Sequence, residues 1–106
     1  MGEFLKVATL DQLPPGATLS VELPDDEKVC LANSDGHVYA IEDRCTHRDF
    51  PMSNGSVHGG ATIECAWHGA RYDMRTGRAI RLPAIKSIKT YVVRIDGNDI
   101  LLEIPD

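Results

Sequence analysis

The chain lacks the apolar stretches and targeting signals that would place it in or across a membrane. None of its apolar runs approaches the roughly 20 residues that a membrane-spanning helix needs. The segment from Met1 to Phe4 has no basic region leading into an apolar core, so no secretion signal is visible. Three cysteines are an odd number, which argues against a disulfide framework and for a reducing compartment. We therefore expect a cytoplasmic protein without a membrane-embedded part.

Helical periodicity is missing as well. Alternation takes its place: Leu19, Val21 and Leu23 are separated by Ser20 and Glu22, as in a half-buried strand. Strands are predicted over residues 4–8, 17–23, 28–33, 37–42, 61–64, 70–73 and 88–95 and after the turn at 96–98, whereas residues 43–60 and 81–85 are predicted to be loop. The fold class is all-β, with roughly nine or ten short strands. The length suits one domain over residues 1–106.

Charge is unevenly distributed along the chain. Residues 1–43 hold nine acidic and two basic residues, a balance of −7, and residues 95–106 contribute −4. Residues 44–94 hold three acidic and nine basic residues, a balance of +6. A basic run can indicate nucleic-acid binding, but the net charge of −5 and the lack of interleaved aromatic residues argue against it. No nucleic-acid partner is therefore expected.

Four residues in two short stretches form a set of metal ligands. Cys45 and His47 come first, and Cys65 and His68 follow after a spacer. Two thiolates and two imidazoles suit zinc as well as an iron–sulfur centre. Zinc modules usually pair like with like in sequence, whereas here each stretch supplies one cysteine and one histidine. This order favours a two-iron cluster in which one iron takes both thiolates and the other takes both imidazoles.

The two stretches resemble the cluster-binding loops of Rieske proteins. The likeness rests on residues 45–47 and 65–73, and residues 75–86 resemble the segment that follows the second loop in Rieske-type ferredoxins of bacterial ring-hydroxylating dioxygenase systems. The resemblance implies a Rieske-like domain of antiparallel sheets. It also implies a small cluster-binding subdomain, about residues 43–84, formed by two loops within a β base domain. One [2Fe-2S] cluster is the implied cofactor.

Departures from the family pattern predict a low reduction potential. High-potential Rieske proteins join their loops with a disulfide, and Phe50 and Trp67 occupy the matching positions here. They also carry a serine that bonds to a cluster sulfide, where this chain has Ala70. Tyr72 is retained, and its hydroxyl is expected to reach the sulfur of Cys45. Fewer hydrogen bonds to sulfur place the potential near about −150 mV, the low end of the Rieske range.

Supporting roles around the cluster are also predicted, that of Pro83 from the resemblance and the others from the residues themselves. Trp67 is expected to shield it from water, and Pro83 is expected to lie against it as part of a third loop. The imidazoles of His47 and His68 should form the exit for the electron. Nearby basic residues are predicted to stabilise the extra negative charge of the reduced cluster, namely Arg44, Arg48 and Arg71. Cys30 has no ligand partner nearby in sequence and is predicted to be a structural thiol.

The implied function is one-electron transfer from a flavoprotein reductase to a terminal oxygenase in aromatic hydrocarbon catabolism. The chain shows no nucleophile-and-base pair, so it is expected to be an electron carrier and not an enzyme. Both partners should bind transiently, and the chain should be a monomer. Two alternatives remain open at this stage. One is the Rieske-type small subunit of an assimilatory nitrite reductase, and the other is a structural zinc-binding module.

Overall fold

Short antiparallel strands make up most of the protein. The computed structural model describes residues 3–24, 26–44, 51–66, 69–82 and 86–104. The strands in these ranges are β1 (Phe4–Thr9), β2 (Thr18–Glu22), β3 (Lys28–Ser34), β4 (His37–Glu42), β5 (Ser56–His58), β6 (Thr62–Glu64), β7 (Arg71–Asp73), β8 (Ala79–Arg81), β9 (Thr90–Tyr91), β10 (Val93–Asp96) and β11 (Asp99–Glu103). Two short 3-10 helices, Leu10–Gln12 and Met52–Asn54, complete the regular structure described. In these ranges no helix has the length and apolar character needed to cross a membrane.

Three antiparallel sheets organise these strands, which confirms the predicted all-β class. The base sheet has the order β1-β11-β10, the central sheet β2-β3-β4-β9 and the small sheet β5-β6-β7-β8. The β3–β4 hairpin turns at Asp35 and Gly36, whose φ angles of 54° and 92° are those that a two-residue hairpin turn requires. The small sheet falls inside the predicted subdomain range of 43–84. The division into a base domain and a cluster-binding subdomain stays a prediction.

The central sheet is covered on both faces, because successive residues of a strand point to opposite sides. On β3, Val29 and Leu31 face the base sheet, whereas Cys30 and Ala32 face the small sheet. The base core comprises Ala8, Leu13, Leu23, Val29, Leu31, Ala40, Tyr91, Ile100 and Leu102. The inner core comprises Cys30, Ala32, Ile41, Met52, Ile63, Cys65, Ala70, Tyr72, Met74 and Ile88. The inner core is therefore the layer that joins the small sheet to the rest of the molecule.

Three details of the strand prediction were wrong. Residues 43–60 contain β5 and a 3-10 helix, although glycines and a proline made the whole stretch look like loop. Residues 79–81 form β8, an edge strand that the sequence did not reveal. Residues 88–95 are not one strand, because β9 pairs with β4 whereas β10 pairs with β11. The chain changes sheets at Val92, which explains why both faces of this stretch are apolar.

Candidate metal centre

Two of the seven predicted site residues lie in the described part of the chain, and both are buried in the inner core. Cys65 is 1% exposed and Tyr72 is fully buried. The other predicted site residues lie outside the described residues, namely Cys45, His47, Trp67, His68 and Pro83. The structure therefore shows the surroundings of one predicted thiolate ligand and of the predicted hydrogen-bond donor.

Cys65 lies directly after β6, at the start of the β6–β7 hairpin loop. Its backbone N–H donates to the carbonyl of Ala70 (2.7 Å), so the two residues form the last closed pair before the loop. Gly69 has a φ of +70°, a left-handed conformation that glycine adopts without the strain of a side chain. The backbone pair of Cys65 and Ala70 thus holds the Cys65 side chain in the inner core, sheltered from water.

Tyr72 lies at the middle of β7, directly opposite Ile63 of β6. Both side chains are fully buried in the inner core, on the same side of the small sheet as Val57 and Ala79. A tyrosine buried this deeply is held in one place by its neighbours. It belongs to the same packed cluster as Cys65, as the predicted role near the metal requires.

The opposite face of the small sheet carries charges. Glu64 faces Arg71 across β6 and β7, and Nε of Arg71 donates to Oε1 of Glu64 (2.8 Å). The hydrogen bond from Arg71 is the main reason that the pKa of Glu64 lies below its usual value. His58 adds to this charge cluster, with Nε2 lying 3.2 Å from Oε1 of Glu64. Sequence reasoning missed this pair, although opposite charges flanking a ligand loop were a visible signal.

The chain that follows the first ligand stretch packs against the residue that precedes the second. A Cβ on Gly55 would lie 2.0 Å from the carbonyl oxygen of Glu64 and 3.1 Å from that of Met52. Only glycine permits the backbone to approach so closely. Gly55 therefore brings the chain that follows the first stretch directly against the residue that precedes Cys65.

Two of the three basic residues that were predicted to stabilise the reduced cluster are paired with carboxylates. The charge of Arg71 is compensated by Glu64 at 2.8 Å, and Nη2 of Arg44 lies 3.8 Å from a carboxylate oxygen of Glu42. Arg48, the third residue of that prediction, lies outside the described residues. The pairing of Arg71 argues against its predicted role in stabilising a reduced centre, because Glu64 already offsets its charge.

Cys30 lies in the same core but differs in chemistry. It is fully buried on β3, and it does not form a disulfide with Cys65. Burial, with a smaller effect of the nearby Asp43 carboxylate, raises the pKa of its thiol far above the usual value. A neutral thiol is a poor metal ligand and a poor nucleophile. This environment fits the predicted structural role.

Comparison with known proteins identifies the family. Residues 3–92 match the Rieske [2Fe-2S] domain. The biphenyl dioxygenase ferredoxin subunit of Pseudomonas sp. (strain KKS102) is 36% identical over 100 residues, which cover 94% of this chain and 91% of that one. The chain belongs to the Rieske [2Fe-2S] family. Its cofactor is therefore one Rieske-type [2Fe-2S] cluster, as the order of cysteines and histidines predicted.

Solved structures of Rieske proteins share the fold. The ferredoxin of carbazole 1,9a-dioxygenase from Nocardioides aromaticivorans IC177 superposes with a TM-score of 0.85 at 36% identity, over 94% of this chain and 96% of that one. A complex of reduced oxygenase and oxidised ferredoxin in carbazole 1,9a-dioxygenase contains a chain with a TM-score of 0.87 at 25% identity, covering 94% of this chain and 92% of that one. A protein of Mycobacterium tuberculosis assigned as a nitrite reductase small subunit has a TM-score of 0.89 at 22% identity, covering 100% of this chain and 98% of that one, which shows a shared fold alone.

The described part of the site fits a Rieske cluster. Cys65, the predicted thiolate ligand in this range, lies at the base of the β6–β7 hairpin in surroundings that exclude water. The sequence supplies the further cysteine and two histidines that complete the donor set. Among the described residues, the side chains that share this core with Cys65 are uncharged, Ala70 and Tyr72 among them.

Proposed function

We propose that this Rieske protein is the ferredoxin of an aromatic ring-hydroxylating dioxygenase system. It carries one electron from a flavoprotein reductase to the terminal oxygenase. The observation that carries this proposal is the 36% identity to a dioxygenase ferredoxin subunit along nearly the full length of both chains. The protein acts as an electron carrier, and the oxygenase performs the chemistry on the substrate.

The proposed ligands are Cys45 and Cys65 for one iron and His47 and His68 for the other. When bound, the cluster takes up and releases one electron. The β6–β7 hairpin holds Cys65 in a dry position, and low local polarity strengthens the influence of each nearby hydrogen bond. Imidazole edges at a protein surface give the electron a short path to a partner, so we assign the exit to the two histidines.

Three further residues complete the proposed site. Tyr72 donates a hydrogen bond towards the sulfur of Cys45 and raises the potential slightly. Trp67 covers the cluster against water, and Pro83 supplies a third loop beside it. The full burial of Tyr72 in the cluster of side chains that holds Cys65 supports its part of this assignment.

The partners bind one at a time and briefly. Small electron-transfer interfaces are weak and rely on charge for their association rate. We propose that the protein works as a monomer in the cytoplasm, as one domain whose residues 43–84 form the cluster-binding part. The nitrite reductase alternative has support from the fold alone. The zinc alternative has lost its basis, because the chain belongs to a family that binds an iron–sulfur cluster.

Low-temperature EPR of the dithionite-reduced protein is the first test. We expect the spectrum of a reduced Rieske cluster and a coloured oxidised protein. Replacing Cys65→Ser should abolish the signal, whereas Cys30→Ala, a matched change of a buried cysteine in the same core, should retain it. A colourless protein, or loss of the cluster in the Cys30 variant alone, would contradict the proposed ligand set.

Electron transfer is the second test. The protein should restore oxygenation of an aromatic substrate when it is added to a flavoprotein reductase and a ring-hydroxylating terminal oxygenase, for example those of a biphenyl dioxygenase. A protein that has the Rieske signal but supports nitrite reduction and no dioxygenase would favour the nitrite reductase assignment.

A further inference from the structure

Asp43 is a buried carboxylate directly after β4, two residues before the first cysteine of the ligand set. It is 8% exposed. Its Oδ1 accepts a hydrogen bond from the backbone N–H of Ser53 (2.8 Å), and its Oδ2 accepts one from the Ser53 hydroxyl (3.0 Å). The hydroxyl of Ser20, on β2, donates to the same Oδ2 (2.6 Å). Both carboxylate oxygens are therefore engaged.

Ser53 is itself firmly anchored. The hydroxyl of Thr18, on β2, donates to the carbonyl of Ser53 (2.6 Å). The preceding residue, Met52, is fully buried in the inner core. Ser53 thus uses its N–H, hydroxyl and carbonyl in contacts with the central sheet and with Asp43. It is a fixed point, to which Asp43 is bound by two hydrogen bonds.

These contacts join two points of the chain that are ten residues apart in sequence. The segment between them includes Cys45 and His47, which lie outside the described residues, and Asp43 and Ser53 flank it on either side. A bridge between the ends of a segment removes conformations that the segment would otherwise adopt. The next residues, through Gly55, then pack against Glu64 at the entry to the second ligand loop.

We propose that Asp43 is a positioning residue for the first ligand pair. By binding Ser53, it fixes both ends of the segment that carries Cys45 and His47 and so presets the geometry of these two ligands. The inference rests on the proposed assignment of Cys45 and His47 as ligands. A competing explanation is that Asp43 only links β2 to the end of β4 through Ser20, with no effect on the ligands.

Ser53 and Ser20 separate these explanations, because each donates one hydroxyl hydrogen bond to the same Oδ2 atom. Only Ser53 lies at the far end of the ligand segment. The experiment compares Ser53→Ala, Ser20→Ala and Asp43→Asn in the cluster-loaded protein. It measures the rate of iron release to a strong chelator, the reduction potential, the EPR spectrum of the reduced cluster and the urea midpoint of unfolding.

We expect Ser53→Ala to release iron about tenfold faster, the factor that corresponds to one hydrogen bond to a buried carboxylate. Its EPR spectrum and potential should shift, because the ligands of one pair are less constrained. Ser20→Ala should match the original protein in release rate, potential and spectrum, even where its urea midpoint falls. Asp43→Asn should release iron at least as fast as Ser53→Ala.

Equal iron release, potential and spectra in the Ser53 and Ser20 variants would overturn the proposal and leave Asp43 as a fastener of β2. This comparison stays decisive if Asp43→Asn fails to fold, because it uses only the two serines. Absence of a Rieske signal from the unsubstituted protein would instead overturn the proposed cluster. The two failures are therefore distinguishable.

Discussion

At the scale of single residues, surroundings decide what each thiol and hydroxyl of the inner core can do. Cys30 and Cys65 are both buried there, but Cys30 lies within a strand of the central sheet, whereas Cys65 follows β6 at the start of a hairpin loop. The thiol of Cys30, with its raised pKa, stays protonated. Because Cys65 lies at the start of a loop, its sulfur is placed to bind a cluster together with ligands from another loop. A residue in the middle of a strand lacks this position.

Tyr72 gives a prediction at this scale. Replacing Tyr72→Phe keeps the buried ring and removes only the hydroxyl. If the hydroxyl donates to a cluster ligand, its loss destabilises the more negative reduced state, so the potential should fall. A bond worth about 1 kcal/mol more in the reduced state corresponds to a fall of about 40 mV, measurable by protein-film voltammetry.

Tyr39→Phe is the control, since Tyr39 packs at the edge of the same core and has no proposed contact with the cluster. Its potential should equal that of the unsubstituted protein. An unchanged or higher potential in the Tyr72 variant would show that its hydroxyl does not stabilise the reduced state.

At the scale of elements, the β6–β7 hairpin depends on the pair formed by Glu64 and Arg71. The pKa of Glu64 is lowered in the folded state, so its ionised form contributes stability above the unfolded pKa of about 4.3. That contribution is lost as the pH falls through the lower folded pKa. Glu64→Gln should therefore unfold at lower urea concentration than the original protein at pH 7. The difference should shrink as the pH drops below about 4.

Arg71→Gln provides the reference for this experiment. In a protein that already carries this change, adding Glu64→Gln should produce a smaller effect at pH 7 and little change with pH, because the main cause of the lowered pKa is absent. A difference that stays constant down to the acid range in both backgrounds would argue that Glu64 acts through packing and not through its charge.

Gly55 supports a second prediction for this element. A methyl group at Gly55 would lie 2.0 Å from the carbonyl oxygen of Glu64, so the chain must move away from the entry to the second ligand loop. We expect Gly55→Ala to lower the free energy of unfolding by at least about 2 kcal/mol and to speed iron release. Urea denaturation and a chelator assay measure the two effects.

Gly59→Ala is the matched control, in the same part of the chain. The nearest atom to its added methyl would be Oδ2 of Asp35 at 3.7 Å, an ordinary contact. The change should alter stability by no more than about 0.5 kcal/mol. Equal losses in the free energy of unfolding would mean that the close approach of Gly55 to Glu64 is not the cause of the destabilisation.

The sequence predicts elements where local chemistry determines them. The β3–β4 hairpin follows from alternation and an Asp-Gly turn, and His37–Glu42 was predicted with the bounds that the structure shows. The strand β5 was missed because its three residues lie between glycines, and β8 because an exposed Ile80 hides its alternation. These short strands form because β5 pairs with β6 and β8 pairs with β7. Such pairing between strands cannot be seen in a local sequence pattern.

The candidate site likewise has residues that the sequence predicts and residues that only the fold reveals. Cys65 was predicted as a ligand from the order and spacing of cysteines and histidines, which are rare side chains in this chain. Tyr72 was predicted from the resemblance to Rieske proteins. Asp43 and Glu64 were not identified, since each acts through a partner across a loop or strand. Carboxylates are common in this chain, with 16 acidic residues, and only the fold shows which of them are anchored.

At the scale of the whole molecule, the distribution of charge separates the two ends of the chain from its middle. Residues 1–43 and 95–106, with balances of −7 and −4, supply the whole base sheet except the first two residues of β10. The small sheet lies entirely in the basic segment 44–94. We therefore predict a charge dipole between the side of the small sheet and the acidic ends of the chain. Such a dipole orients a partner before contact.

The rate of electron transfer to the terminal oxygenase should therefore fall as salt is added. The Debye screening length falls from about 30 Å at 0.01 M salt to about 8 Å at 0.15 M, so electrostatic steering of the partner weakens.

Arg81→Gln removes an exposed charge of the small sheet and should slow the reaction about twofold at low salt, as followed by stopped-flow absorbance. Lys6→Gln removes an exposed charge of the base sheet and should leave the rate unchanged. If both variants slow the reaction equally, net charge governs the encounter; if only Arg81 matters, the partner approaches the face that carries the small sheet.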